Sequence, residues 1–164
     1  MLRTRPLTSG EQALARSVFA DAIPLDTVRL LASPFDRAFV PGVLWGRGWI
    51  VWSGRSLPDD IALSPLSLQA TLIHELVHVW QALNGVNLLL AKLKAGDSAA
   101  AYAYPLDPAC VWDHLNIEQQ ASAVEHRFRL SRGQRMPADS VFYDRLCPFP
   151  KPSVSAFGLE PWAG

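Results

Sequence analysis

The sequence lacks most of the features that would assign it to a large functional class. It has only two cysteines in 164 residues, Cys110 and Cys147. They form no CxxC pair, which argues against a cysteine-ligated zinc cluster and favours reduced thiols over a disulfide. Neither sign of charge is in excess: 15 Lys and Arg stand against 15 Asp and Glu. Without a basic stripe, no nucleic-acid partner is expected. No apolar run reaches the ~20 residues that cross a bilayer, so no membrane span is expected. The opening MLRTRPLTSGEQ carries charge but no apolar core of a signal peptide. The expectation is a chain that is cytoplasmic, or exported by a route that reads no N-terminal signal. Internal repeats and low-complexity tracts are also missing.

What is present is a chain 49% hydrophobic and long enough for one core. Thr8-Ser9-Gly10-Glu11 reads as a capping box opening a helix to about Ala20, with Leu14, Val18 and Phe19 on its apolar face. Residues 28–32, 38–43 and 48–52 read as short strands broken by Pro and Gly, and Pro41 places its strand at an edge or a bulge. Residues 54–64 read as a loop. Ser64-Pro65 predicts a helix with Ser at the N-cap and Pro at its first position, running to about Leu83 before Gly85. Its apolar residues cover most of its circumference, as in a buried helix. Residues 87–94 suggest a short amphipathic helix, 116–132 a longer one ending at Gly133, and 138–146 another short one. The expected organisation is a single domain over 1–146, followed by a proline-rich strap over 147–164.

The long buried helix carries His74-Glu75-Leu76-Val77-His78, an HExxH pattern. Residues four apart stand on one helical face, so both imidazoles can reach one ion. Zinc takes imidazole nitrogen at about 2.0–2.1 Å in a tetrahedral site. Glu75 then flanks the metal as a candidate general base toward a zinc-activated water. The alternative is a pair of core histidines satisfied by backbone carbonyls. Placing three ionisable groups among Ile73, Val77, Val79 and Trp80 without a partner would be costly, which favours one Zn2+ ion.

Two histidines need a third protein ligand. The Gly and His with which a metzincin motif would continue are here Gln81 and Asn84, which excludes that class. The remaining candidates are Asp97, Asp107, Asp113, His114, Glu118, Glu125 and His126. Glu118 is favoured because it opens the next good helix, with small Ala121 behind it for close packing. Its ordinary role would be a surface acid complementing the helix N-terminus. Glu125, seven residues on, is the alternative ligand or a hydrogen-bond acceptor for an imidazole N–H. Tyr102 and Tyr104 are candidate oxyanion donors, although tyrosines beside helices ordinarily pack. Trp45, Trp49 and Trp52 are read as core. A sheet edge beside the helix would let an extended peptide add as a strand.

HELVHVWQ at 74–81 and NIEQQAS at 116–122, with RPLTSGEQALARSVFADAIPLDTVRL at 5–30, resemble the small bacterial Vgr-related zinc metallopeptidases over roughly residues 5–132. The resemblance implies a minimal zincin-like, gluzincin-type fold, with His74, His78 and Glu118 as ligands and Glu75 as base. It also implies association with a type VI secretion spike. The architecture expected is α+β: a small, mostly antiparallel sheet packed on the HExxH helix, with the Glu118 helix alongside. The leading functional expectation is a zinc peptidase acting on a peptide or protein. The competing ones are a non-catalytic, zinc-stabilised module that binds a spike protein, and a zinc hydrolase of another amide such as a cell-wall bond.

Overall fold

The computed structural model describes residues 3–151. Chain order is β1 (Thr4–Pro6), α1 (Ser9–Phe19), β2 (Arg29–Ser33), β3 (Phe39–Leu44), β4 (Arg47–Ser53), α2 (Leu66–Leu83), α3 (Leu88–Ala95), α4 (Ala99–Tyr102), α5 (Ile117–Ser131) and α6 (Ser140–Leu146). Single 3-10 turns precede β2, α2 and α5. The architecture is α+β, as expected.

The sheet order is β1-β2-β4-β3. Its outer pairs, β1–β2 and β3–β4, are antiparallel, but the central pair β2–β4 is parallel. The sheet is therefore mixed: mostly antiparallel, as expected, with one parallel pair at its centre. β3 turns directly into β4 through Trp45 and Gly46, both at positive φ (52° and 71°), which is a tight two-residue hairpin. That hairpin puts β4 in the middle of the sheet and leaves β3 at the edge. Pairing of β3 shifts register between Phe39 and Gly42, around Pro41, which cannot donate to a ladder. Of the three tryptophans read as core, Trp52 is buried, Trp49 is half-buried, and Trp45 at the hairpin tip is 88% exposed.

Leu30, Ile50 and Trp52 of the sheet belong to one core with Ala15 and Phe19 of α1 and Leu72, Ile73, Leu76 and Val79 of α2. Contact between β4 and α2 is close: a Cβ on Gly48 would come within 2.6 Å of Val79 Cγ1. On its other side α2 packs along α5, where Ala121 is fully buried. α2 begins one residue later than predicted, with Pro65 rather than Ser64 at the N-cap. α3 is not amphipathic in the expected sense, since only Leu88 is buried and Leu89, Leu90 and Leu93 face out. Cys110 and Cys147 are free and buried. Of the expected strap, residues 152–164 lie outside the described residues. Among the described residues, no helix is long and apolar enough to cross a membrane.

The N-terminal capping box does more than close α1. Thr8 Oγ1 accepts from Glu11 N–H at 3.0 Å, and Glu11 Oε2 accepts from Thr8 N–H at 2.9 Å. Both Glu11 oxygens also accept from the Arg5 guanidinium at 2.7 Å, and Oε1 accepts from the Ile61 N–H at 2.8 Å. Glu11 thus ties β1, α1 and the turn before α2 together from a fully buried position. Removing one partner of a buried, hydrogen-bonded ion pair typically costs about 3–5 kcal/mol. Glu11→Ala is expected to lower unfolding stability by about that amount in urea titration. A loss under about 1 kcal/mol would show that this pair does not anchor the sheet to α1.

Candidate metal centre

α2 presents His74 and His78 on one face, their ring centroids 5.1 Å apart. Each ring is held from behind through Nδ1. His74 Nδ1 lies 3.0 Å from Glu125 Oε2, and His78 Nδ1 lies 2.8 Å from Gln81 Oε1. The Gln81 amide orientation is set by its other end, because Nε2 donates to the Ile117 carbonyl, which can only accept, and to Gln120 Oε1. Carboxylate and amide oxygens also only accept, so both Nδ1 atoms carry the proton and both Nε2 atoms face forward. They face the same atom: Glu118 Oε2 is 3.3 Å from His74 Nε2 and 3.5 Å from His78 Nε2. The three ligand atoms lie within 4.8 Å of one another, close enough to hold one ion.

Charge is balanced around this point. Glu118 Oε1 accepts from Lys92 at 2.6 Å, and Glu125 Oε1 accepts from Arg129 at 2.7 Å. Burial works to raise the Glu118 pKa, but hydrogen bonds to His74 and His78 hold it well below the usual carboxylate range. Burial likewise opposes, and the hydrogen bond to His74 outweighs, so Glu125 is also lowered. In the metal-free state burial disfavours the His74 cation, yet hydrogen bonds to Glu118 and Glu125 raise its pKa to about 9. Glu75 is treated differently. It is buried, and burial raises its carboxyl above the ordinary value against the pull of His78 and His74. Its Oε2 has no hydrogen-bond partner among the described residues.

All four residues line a cleft of about 420 Å³. Ala38 and the edge-strand residues Phe39, Val40 and Pro41 of β3 form one wall, and Leu88, Leu89 and Lys92 of α3 another. The structure thus gathers His74, Glu75, His78 and Glu118, and sets Glu125 behind His74 rather than at the shared point. Tyr102 lines the cleft and its hydroxyl accepts from Lys92 at 3.0 Å. Tyr104 does not line it; its hydroxyl is bonded to His126 Nδ1 and Tyr143. Tyr104 and His126 thus bond to each other away from the cleft lining, and His126 is not part of the converging trio. Asp97, Asp107, Asp113 and His114 are exposed and lie outside the converging trio.

Sequence reasoning missed Gln81 and Lys92. Gln81 had a readable signal, since it stands three residues after His78 on the same helix, where side chains meet. Lys92 had none, because only the packing of α3 on α5 brings it to Glu118.

No family model matches the chain. It is similar to the type VI secretion system spike protein VgrG2b of Pseudomonas aeruginosa, 36% identical over 140 residues. The match takes in 76% of this chain but only 13% of that protein's length. A solved structure, the effector domain of Pseudomonas aeruginosa VgrG2b, aligns with a TM-score of 0.67 and 31% identity, covering 85% of this chain and 79% of that one.

The raised His74 pKa makes stability without metal depend on pH. The folded value of about 9 exceeds the reference of 6.5, so this contribution is fully present below pH 6.5 and is lost as pH rises through about 9. Glu75, also raised, acts in the same direction. The melting temperature of chelator-treated protein is expected to fall from pH 6.5 to 9, and His74→Gln should flatten that fall. A wild-type profile that is level or rising across the window would contradict the charged His74 arrangement.

Proposed function

The chain belongs to the family of the VgrG2b effector domain, and from that premise we propose that it is a type VI effector module that hydrolyses an amide bond with one bound zinc ion. A single observation carries the chemical part of this reading. Glu75 keeps a buried carboxylate oxygen, unpartnered among the described residues, in the same cleft as three converging side-chain atoms of His74, His78 and Glu118. A purely structural zinc site needs four ligands and no base, and it closes its fourth position. Here the donor set is two imidazoles and one carboxylate, the combination found in catalytic sites with an open position. An orphaned buried carboxylate has a cost, which makes sense where it has a proton to take.

In this reading His74, His78 and Glu118 hold the ion. When bound, zinc acts as a Lewis acid on a carbonyl and lowers the pKa of a water to about 7. Glu75 takes the proton of the attacking water and delivers it to the leaving amine; its raised pKa suits both halves of that exchange. Tyr102 accepts its hydrogen bond from Lys92, so its own proton is free to donate to the developing oxyanion. The edge strand β3 offers unpaired backbone groups along the cleft, on which an extended peptide adds as a further strand. The substrate class is therefore a peptide or protein, with a cell-wall amide the variant of the same chemistry.

The kinship with a spike protein supports delivery alongside, or docked upon, a type VI spike, which needs no N-terminal signal. It fits a second reading more directly than it fits catalysis: a zinc-stabilised module that docks on a spike. Glu75 separates the two. Zinc-loaded wild type and Glu75→Gln should bind the same amount of metal. On a proteome-derived peptide mixture, read by mass spectrometry for new termini, the variant should be slower by about 10²–10⁴, the usual worth of a general base. Equal cleavage by both would remove Glu75 as the base. No cleavage by either, with a stable complex on a spike protein, would favour the docking module.

A further inference from the structure

Lys92 is the one lysine or arginine in direct contact with Glu118 among the described residues, and beyond its hydrogen bond to Tyr102 the proposed reaction does not use it. A lysine in a cleft has two ordinary roles, anchoring a substrate anion or fixing a neighbouring side chain. The hydrogen-bond inventory decides between them. An ammonium has three protons to donate. Lys92 Nζ lies 2.6 Å from Glu118 Oε1, 3.0 Å from the Tyr102 hydroxyl and 2.9 Å from Asp97 Oδ1. Glu118 and Tyr102 accept hydrogen bonds and Asp97 pairs with the same ammonium, so its charge is committed to the protein rather than to a substrate anion.

The two oxygens of Glu118 therefore stand in different surroundings. Oε2 faces both imidazole Nε2 atoms, and Oε1 is bound to a cation on the opposite side. Glu118 is 4% exposed and cannot turn out to water. We propose that Lys92 is a positioning residue that restricts Glu118 to one-oxygen ligation and so keeps a coordination position of the metal open. A free carboxylate beside a metal can close a second bond through its other oxygen. Occupying that oxygen prevents this, and the adjacent positive charge also weakens electron donation from the ligand to the ion. Asp97 and Tyr102 serve Lys92 in turn, holding its flexible stem in one place from the loop and helix that follow α3. This inference rests on the zinc-site reading above, because it assigns a role toward the same ion.

Cobalt(II) in place of zinc reports coordination number, since four-coordinate cobalt absorbs strongly in the visible and higher coordination weakens the band. Wild type is expected to show the strong band. Lys92→Met fits the same stem at a part-exposed position, and circular dichroism checks that it stays folded. Its cobalt band should lose intensity, and X-ray absorption on the zinc form should gain one oxygen neighbour. Lys92→Arg, which keeps a cationic donor, should retain the wild-type band. An unchanged band in Lys92→Met, or equal weakening in both variants, would overturn the assignment. Failure of wild type to take up cobalt would instead remove the metal-site reading, and this inference with it.

Discussion

Three ionisable side chains sit inside one apolar helix, and the surrounding elements supply what they need. His74, Glu75 and His78 share α2 with Leu72, Ile73, Leu76, Val77 and Val79, all fully buried. Charged and polar groups in such a place cost free energy unless they find partners. α5 brings two carboxylates seven residues apart, one to the front of the imidazole pair and one to the back of His74. Lys92 and Arg129 then neutralise those carboxylates from outside. The result is a chain of alternating charge in which Glu118 Oε2 meets both imidazole Nε2 atoms, while Glu75 Oε2 has no hydrogen-bond partner among the described residues.

The fold opens these side chains to a cleft. The two-residue hairpin between β3 and β4 puts β4 against α2 and leaves β3 as an outer strand along the cleft. Close contact between Gly48 and Val79 holds the helix down on the sheet, and the buried Glu11 cluster fixes the sheet to α1. The chain aligns with most of a VgrG2b effector domain but with a small share of the whole spike protein, so its kinship is to the effector portion. Delivery by a spike and catalysis in the cleft are separate claims, and the first does not require the second.

Much of this was legible in the sequence where information is local. The capping box of α1, the span of α2, the cap of α5 at Asn116 and the edge position of β3 all rest on short-range spacing, and the structure has each of them. The convergence of Glu118 with the two histidines was approached by asking which carboxylate could follow on a second helix. Non-local features escaped. β1 is three residues long and shows no alternation to detect. The parallel pairing of β2 with β4 depends on which strand the β3 hairpin delivers to the middle. Tyr102 and Tyr104 lie two apart, and only the turn out of α4 sends one to Lys92 and the other to His126. Gln81 served the sequence reading only as an absent glycine, although its spacing from His78 pointed to the hydrogen bond it makes.

The proposed centre has His74, His78 and Glu118 holding one zinc ion. Its most direct test is zinc per chain by elemental mass spectrometry, comparing wild type with His78→Ala and Glu118→Ala. About one zinc is expected in wild type and loss in both variants. Retention in Glu118→Ala would move the third ligand elsewhere. Absence of metal from wild type after zinc loading would contradict the account and leave a folded effector-family domain without a metal centre.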